Sequence, residues 1–275
     1  GSDNRKRMMT GGQETGKGGD ARAQVVSAQA ASAQRHVAAS PAAVQTAPAK
    51  TPDGAVVGRR SKPVYVPTRG EETANTVSHA VMALLTLCAL PYVAVRAYAL
   101  DPRPVLAACS ESIFVISIFL MFLGSTLYHS MTPASRHKEV FHILDHIFIF
   151  VAIAGTYTPV ALLVIGGWQG VLVTALQWAM VVFGIFYKSL ATRSIPGVSL
   201  TIYLVMGWTL VFFLPLFLRH ATVPLLVFIA AGGVFYTLGA WVYAARGFRY
   251  HHLVWHLAIN LGMLSHFTGI VFFLR

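Results

Sequence analysis

From residue 77 onward the chain is a series of long apolar runs separated by short polar connections. The runs fall at about 77–99, 106–131, 141–164, 169–188, 198–218, 222–245 and 251–274. Each is close to the ~20 residues that an α-helix needs to cross a bilayer. The pattern predicts an all-α membrane protein, a seven-transmembrane helix bundle occupying residues 71–275. Connections such as Asp101-Pro102-Arg103-Pro104 and Gly166-Gly167 are too short to hold a further domain. Pro91, Pro159 and Pro215 are expected to kink the first, third and fifth helices, which neighbouring helices in a membrane tolerate. Gly232, Gly233 and Gly239 are expected to let the sixth helix pack closely against a neighbour.

Residues 1–70 differ in kind. They are rich in Ala, Gln, Gly, Ser and Pro, and Tyr65 is their one aromatic residue. Such a segment cannot bury enough apolar surface to offset its ordering entropy, so a disordered basic tail is expected. Gly1-Ser2 reads as a cleavage scar. The Arg/Ala/Ser bias is weakly similar to an organelle transit peptide, but no clear amphipathic period accompanies it. No secretory signal precedes the first apolar run.

Composition agrees with a lipid-embedded remainder. The 275 residues are 55% hydrophobic and 11% charged, where a soluble domain carries about 25% charged residues. Of 21 Lys and Arg, 11 precede residue 70, and beyond residue 78 the acids are Asp101, Glu111, Glu139 and Asp145. The net charge of +11 is therefore no argument for nucleic acid, which would need a basic stripe on a folded surface. Cys88 and Cys109 sit in apolar stretches without framework spacing and are expected to be free thiols. Placing the N-terminus in the cytoplasm puts Arg136, Lys138, Lys188, Arg193, Arg246 and Arg249 on the inner side. The outer loops then receive Arg96, Arg103 and Arg219, with Arg275 at the outer end. That bias predicts a cytoplasmic N-terminus and an external C-terminus, in a multi-pass protein of the plasma (inner) membrane. Membrane lipids are the expected partners, and the oligomeric state stays open.

Ionisable residues inside a membrane are costly and mark either function or a paired structural role. This topology gathers them at one depth: Ser125 and His129 end the second helix, His142, Asp145 and His146 begin the third, and His252 and His256 begin the seventh. Glu72, Asn75 and His79 share one face of the first. The outer rim, by comparison, offers Glu111 and His220. His252 and His256 at i, i+4 leave one helix face together, a spacing that can bind one metal ion. His129 is a natural third ligand, and Ser125 lies one turn earlier on its face. Taken singly, each residue has a plain alternative. A histidine near an interface more often snorkels, Ser125 could bond its own helix carbonyl, and His142 and His146 form a rival pair.

The segments Glu72-Thr-Ala-Asn75-Thr-Val-Ser-His79, Ser125-Thr-Leu-Tyr-His129-Ser130, Leu144-Asp145-His146, Gly155-Thr-Tyr-Thr-Pro159, Gly232-Gly-Val-Phe-Tyr-Thr-Leu-Gly239 and Tyr250-His-His252-Leu-Val-Trp-His256 stand in this order. In them the chain resembles the hemolysin III branch of the progestin and adipoQ receptor family, which includes the adiponectin receptors. The resemblance covers nearly all of 70–275. It implies Zn2+ held by His129, His252 and His256, with Asp145 and Ser125 beside the metal as catalytic residues. Glu72, Asn75 and His79 are expected to support the site, or else to cap and anchor the first helix.

The family also looks related to alkaline ceramidases, and its adiponectin-receptor members are thought to hydrolyse the ceramide amide. A ceramidase-like hydrolase of a lipid amide or ester is therefore expected. Zinc would lower the pKa of its bound water toward ~7 and polarise the amide carbonyl. Asp145 would take the proton and Ser125 would support the water or oxyanion. Two other readings stay open: a membrane-permeabilising (cytolytic) protein, and a zinc-stabilised protein of membrane homeostasis or signalling without catalysis. A water at the fourth metal position favours the enzyme, and a closing ligand such as His146 favours the structural site.

Overall fold

The computed structural model describes residues 67–132, 135–190, 196–245 and 247–275, the side chain of Pro196 excepted. Of the tail expected at 1–70, residues 1–66 lie outside the described residues, as do Arg193 and Arg246 of the orientation argument, while Arg69 and Gly70 already belong to the first helix. Seven helices are long and apolar enough to cross a membrane: α1 Arg69–Leu100, α2 Pro104–Ser130, α3 Arg136–Ile165, α4 Gly167–Leu190, α5 Gly197–His220, α6 Val223–Ala245 and α7 His251–Phe273. The described residues hold no strand. Helix α1 begins at Arg69, eight residues before the apolar run, so Glu71, Glu72 and Asn75 are helical rather than part of a lead-in.

A capping box starts α1. The Thr68 hydroxyl accepts from the Glu71 N–H at 3.3 Å, while the Thr68 N–H donates to Glu71 Oε2 at 2.7 Å. The other carboxylate oxygen of Glu71 accepts from the Tyr250 N–H at 2.8 Å. Tyr250 has φ 61°, a left-handed conformation unusual for a bulky residue. Glu71 thus fastens the start of α1 to the strained turn that opens α7.

The prolines act unequally. Helix α1 continues through Pro91. After Pro159, α3 widens into a π turn over Val160–Ile165 and stops at Gly166, φ 67°. The Arg103 guanidinium donates to the freed Leu162 and Leu163 carbonyls at 3.3 and 3.0 Å. Pro215 lacks the N–H that would close the preceding helical turn. Upstream of it, α5 is a 3-10 stretch over Thr209–Phe213. The Tyr157 hydroxyl spans this break, donating to Gly207 O at 2.7 Å and accepting from Leu210 N at 2.8 Å.

Helices α2 and α3 are the most buried and α5 the least. The core runs through Phe114, Ile118, Phe122, Tyr157, Phe217, Met263 and Ile270. Large apolar side chains such as Leu84, Val95, Trp168, Phe212 and Trp241 face outward, a surface suited to lipid and not to water. Gly232 does allow close packing: a Cβ there would lie 2.1 Å from the His266 ring, whose Nε2 bonds Ile229 O at 3.1 Å. Gly239 packs likewise under Trp255 and Ala258. Gly233 departs from the expectation, because nothing lies within 4 Å of a Cβ built on it. Cys88 and Cys109 are free and exposed.

At the end of the bundle away from the triad, the charges expected on the outer side are joined to one another. Arg275 pairs with Asp101 at 3.1 Å and with Glu111, which is 0% exposed, while Arg96 donates to Val271 O. Burial pushes the Asp101 carboxyl up. The Arg103 N–H and the Arg275 guanidinium outweigh it and hold the group below the usual carboxylate range. The sequence reading missed this clasp because its members are spread from residue 96 to residue 275.

Candidate metal centre

The site is built at the end of the bundle where α1 and α7 begin and α2 ends. His129, His252 and His256 each offer one ligand atom, and these atoms lie within 4.8 Å of one another. His129 and His256 are buried and His252 is partly so. His129 Nε2 and His252 Nε2 stand 3.2 Å apart.

The partners on the far side of two rings assign their tautomers. His129 Nδ1 donates to Glu72 Oε2 at 2.5 Å. Ser78 spends its hydroxyl proton on Asn75 O at 2.8 Å, so its remaining lone pair accepts from His256 Nδ1 at 3.2 Å. Both imidazoles therefore present an unprotonated Nε2 to the common centre. One proton on His252 Nε2 could satisfy only one of these two lone pairs, whereas one cation satisfies all three rings. Tetrahedral zinc with Zn–N of 2.0–2.1 Å would separate two ligand nitrogens by about 3.3–3.4 Å, close to the distance seen. The three histidines fit a metal ion, and such support behind each ligand is the usual arrangement of a metal site.

The remaining predicted residues surround this triad in different ways. Glu72 joins His129 to Lys138, whose Nζ donates to Glu72 Oε1 at 3.2 Å. His79 stacks flat on His256 at 3.7 Å, and Asn75 is buried one turn before it. Asp145 lies within electrostatic reach of Ser125 and His129 and stands 3.9 Å from His146 Nδ1. Asp145 is not among the groups close enough to share the ion with the three histidines. The rival pair stays outside the triad: the two rings meet edge to face at 4.5 Å, and His146 Nδ1 turns to His142 O at 2.7 Å.

Three contributors escaped the sequence reading. Lys138 counted there only as a loop charge for orientation. Ser78 was given no role of its own. Asn260, which donates to Ser78 O at 3.3 Å, carried a readable signal, since it continues the His252 and His256 face at i+4.

The profile described as Haemolysin-III related matches residues 68–267, from the Thr68 cap to beyond His266. The chain belongs to the haemolysin III family. This haemolysin III protein is 32% identical over 206 residues to the "Hemolysin-3 homolog" of Bacillus subtilis (strain 168), covering 74% of this chain and 94% of that one. It is 30% identical over 203 residues to "Hemolysin-3" of Bacillus cereus, covering 74% of this chain and 91% of that one. With its seven apolar helices, it is an integral membrane protein. Every residue named around the triad falls inside the matched region of this haemolysin III family member.

Proposed function

We propose that this protein is a zinc-dependent hydrolase of a lipid amide or ester, working at the cytoplasmic side of the plasma (inner) membrane with its N-terminus inside. The observation that carries the reading is the convergence of three imidazoles whose Nε2 atoms face one point, with the Ser125–Asp145 pair beside it. Three nitrogen ligands and no thiolate suit zinc, and three protein ligands leave a fourth position for chemistry. When bound, zinc would supply Lewis acidity for an attacking water and an acyl carbonyl. Asp145 would accept the proton of that water and return it to the leaving amine or alcohol. Ser125 orients the Asp145 carboxylate, and Glu72 and Ser78 keep the ligand rings turned toward the ion. A lipid entering sideways between helices would bring its polar bond to this depth without leaving the bilayer.

The names of the Bacillus relatives favour a second reading, a membrane-permeabilising protein. Elemental analysis separates them when done on purified wild type beside His129→Ala and His252→Ala. About one zinc per chain in wild type and loss in both variants, with release of fatty acid from a lipid-amide panel, supports the hydrolase. Metal-free wild type from a chelator-free preparation sinks it, and dye leakage from liposomes by that same protein would favour permeabilisation.

A further inference from the structure

Beside the metal triad the α1–α7 contact carries further polar residues, Asn75 and His79 level with His256 and Asn260 one turn deeper. Asn75, His79 and Asn260 are 1%, 4% and 9% exposed. Five of their side-chain atoms have no hydrogen-bond partner among the described residues: both amide atoms of Asn75, both ring nitrogens of His79, and Asn260 Oδ1. The five belong to one neighbourhood. Asn75 and His79 share a face at i, i+4, and the His79 ring lies on His256. Asn260 is one turn beyond His256 and donates to Ser78 O. Phe122 closes one side, its ring edge-on to His79 at 5.1 Å.

We infer that Asn75, His79 and Asn260 line a buried water-binding chamber behind His256 that supplies the metal centre from inside the bundle. The donor set decides the ligand class. Asn75 offers a donor and an acceptor, His79 two ring nitrogens, and Asn260 an acceptor. That set matches a small neutral molecule that both donates and accepts, and it suits neither a free anion nor a cation. Depth then separates water from a lipid headgroup. Asn260 lies eight residues past His252, about 12 Å along the helix, whereas a lipid bond under attack must sit at the triad. Polar groups left dry at that depth would be costly, and buried waters typically bind about three such groups each.

The purpose of the chamber rests on the hydrolase reading: a lipid covering the metal from the bilayer and headgroup side leaves the α1–α7 interior as the remaining source of water. The binding itself does not depend on turnover. Radiolytic hydroxyl labelling tests it on the full zinc-loaded chain in lipid nanodiscs, because water fixed beside a ring generates radicals in place. Phe122, which is 0% exposed, is expected to be labelled in wild type. In Asn75→Leu and Asn260→Leu, made separately and each loaded with zinc, that labelling should fall by about fivefold or more. An unlabelled Phe122 in wild type overturns the chamber. A rise in melting temperature of about 2–4 °C in either leucine variant also overturns it, since apolar replacement stabilises a dry pocket. Zinc-loaded wild type that hydrolyses no lipid but labels Phe122 would remove the hydrolase reading and leave the chamber standing.

Discussion

The Glu72 carboxylate stands between a lysine and a candidate metal ligand, with one oxygen on Lys138 and the other on His129. A glutamate in the first turn of a helix is favourable by about 0.3–1 kcal/mol with no other role. Its contacts argue for more, because the bond to Nδ1 fixes which nitrogen of His129 faces the ion. Glu72→Leu is expected to weaken zinc binding by about 10–100-fold in chelator competition, and Glu72→Gln by less, since an amide oxygen can still accept from Nδ1. Unchanged affinity in Glu72→Leu would reduce the residue to a helix anchor. At this scale the pairing of His252 and His256 was legible before the structure, because i, i+4 spacing puts them on one face whatever surrounds them. Ser78 was not, because a helical serine by default bonds its own backbone. Ser78 does that and supports His256 with its second lone pair.

Among the elements, α6 shows most sharply what an apolar run conceals. Its glycines were readable as packing residues, but the run is apolar on every side, so no periodicity says which of them faces α7. The structure divides them. Gly232 receives the buried His266 ring, and Gly233 points to open space. Gly232→Ala should therefore push His266 off its bond to Ile229 O and cost about 1–3 kcal/mol. Gly233→Ala should be neutral or slightly stabilising, because alanine is the better helix former. Thermal melts of the two variants in one detergent check this, and equal losses would mean that the α6–α7 contact is misjudged. Helix α5 carries a similar lesson. Pro215 announced a break, yet the 3-10 stretch from Thr209 to Phe213 depends on the Tyr157 hydroxyl from another helix, which no local pattern encodes.

Across the whole molecule, the two ends of the bundle are tied by different chemistry. At one end Arg275 clasps Asp101 and Glu111, joining α7 to α2 and the α1–α2 connection through charges alone. At the other, Glu71 reaches the α7 turn, Glu72 links α1 to α2 and α3, and the histidine triad links α2 to α7. A metal ion would add to the second end only. Removing it should loosen α1, α2 and α7 where they meet the triad and leave the Arg275 clasp intact. At zinc 100-fold above its dissociation constant the ion contributes about 2.7 kcal/mol, so chelation should lower the melting temperature by about 5–10 °C. Hydrogen exchange should rise over 68–79 and 250–256 and stay unchanged around Asp101. His129→Ala should melt at the same temperature with and without chelator. If zinc-loaded wild type ignores chelation, or if exchange rises equally at both ends, the triad does not fasten α2 to α7 and the metal's role would lie in chemistry alone.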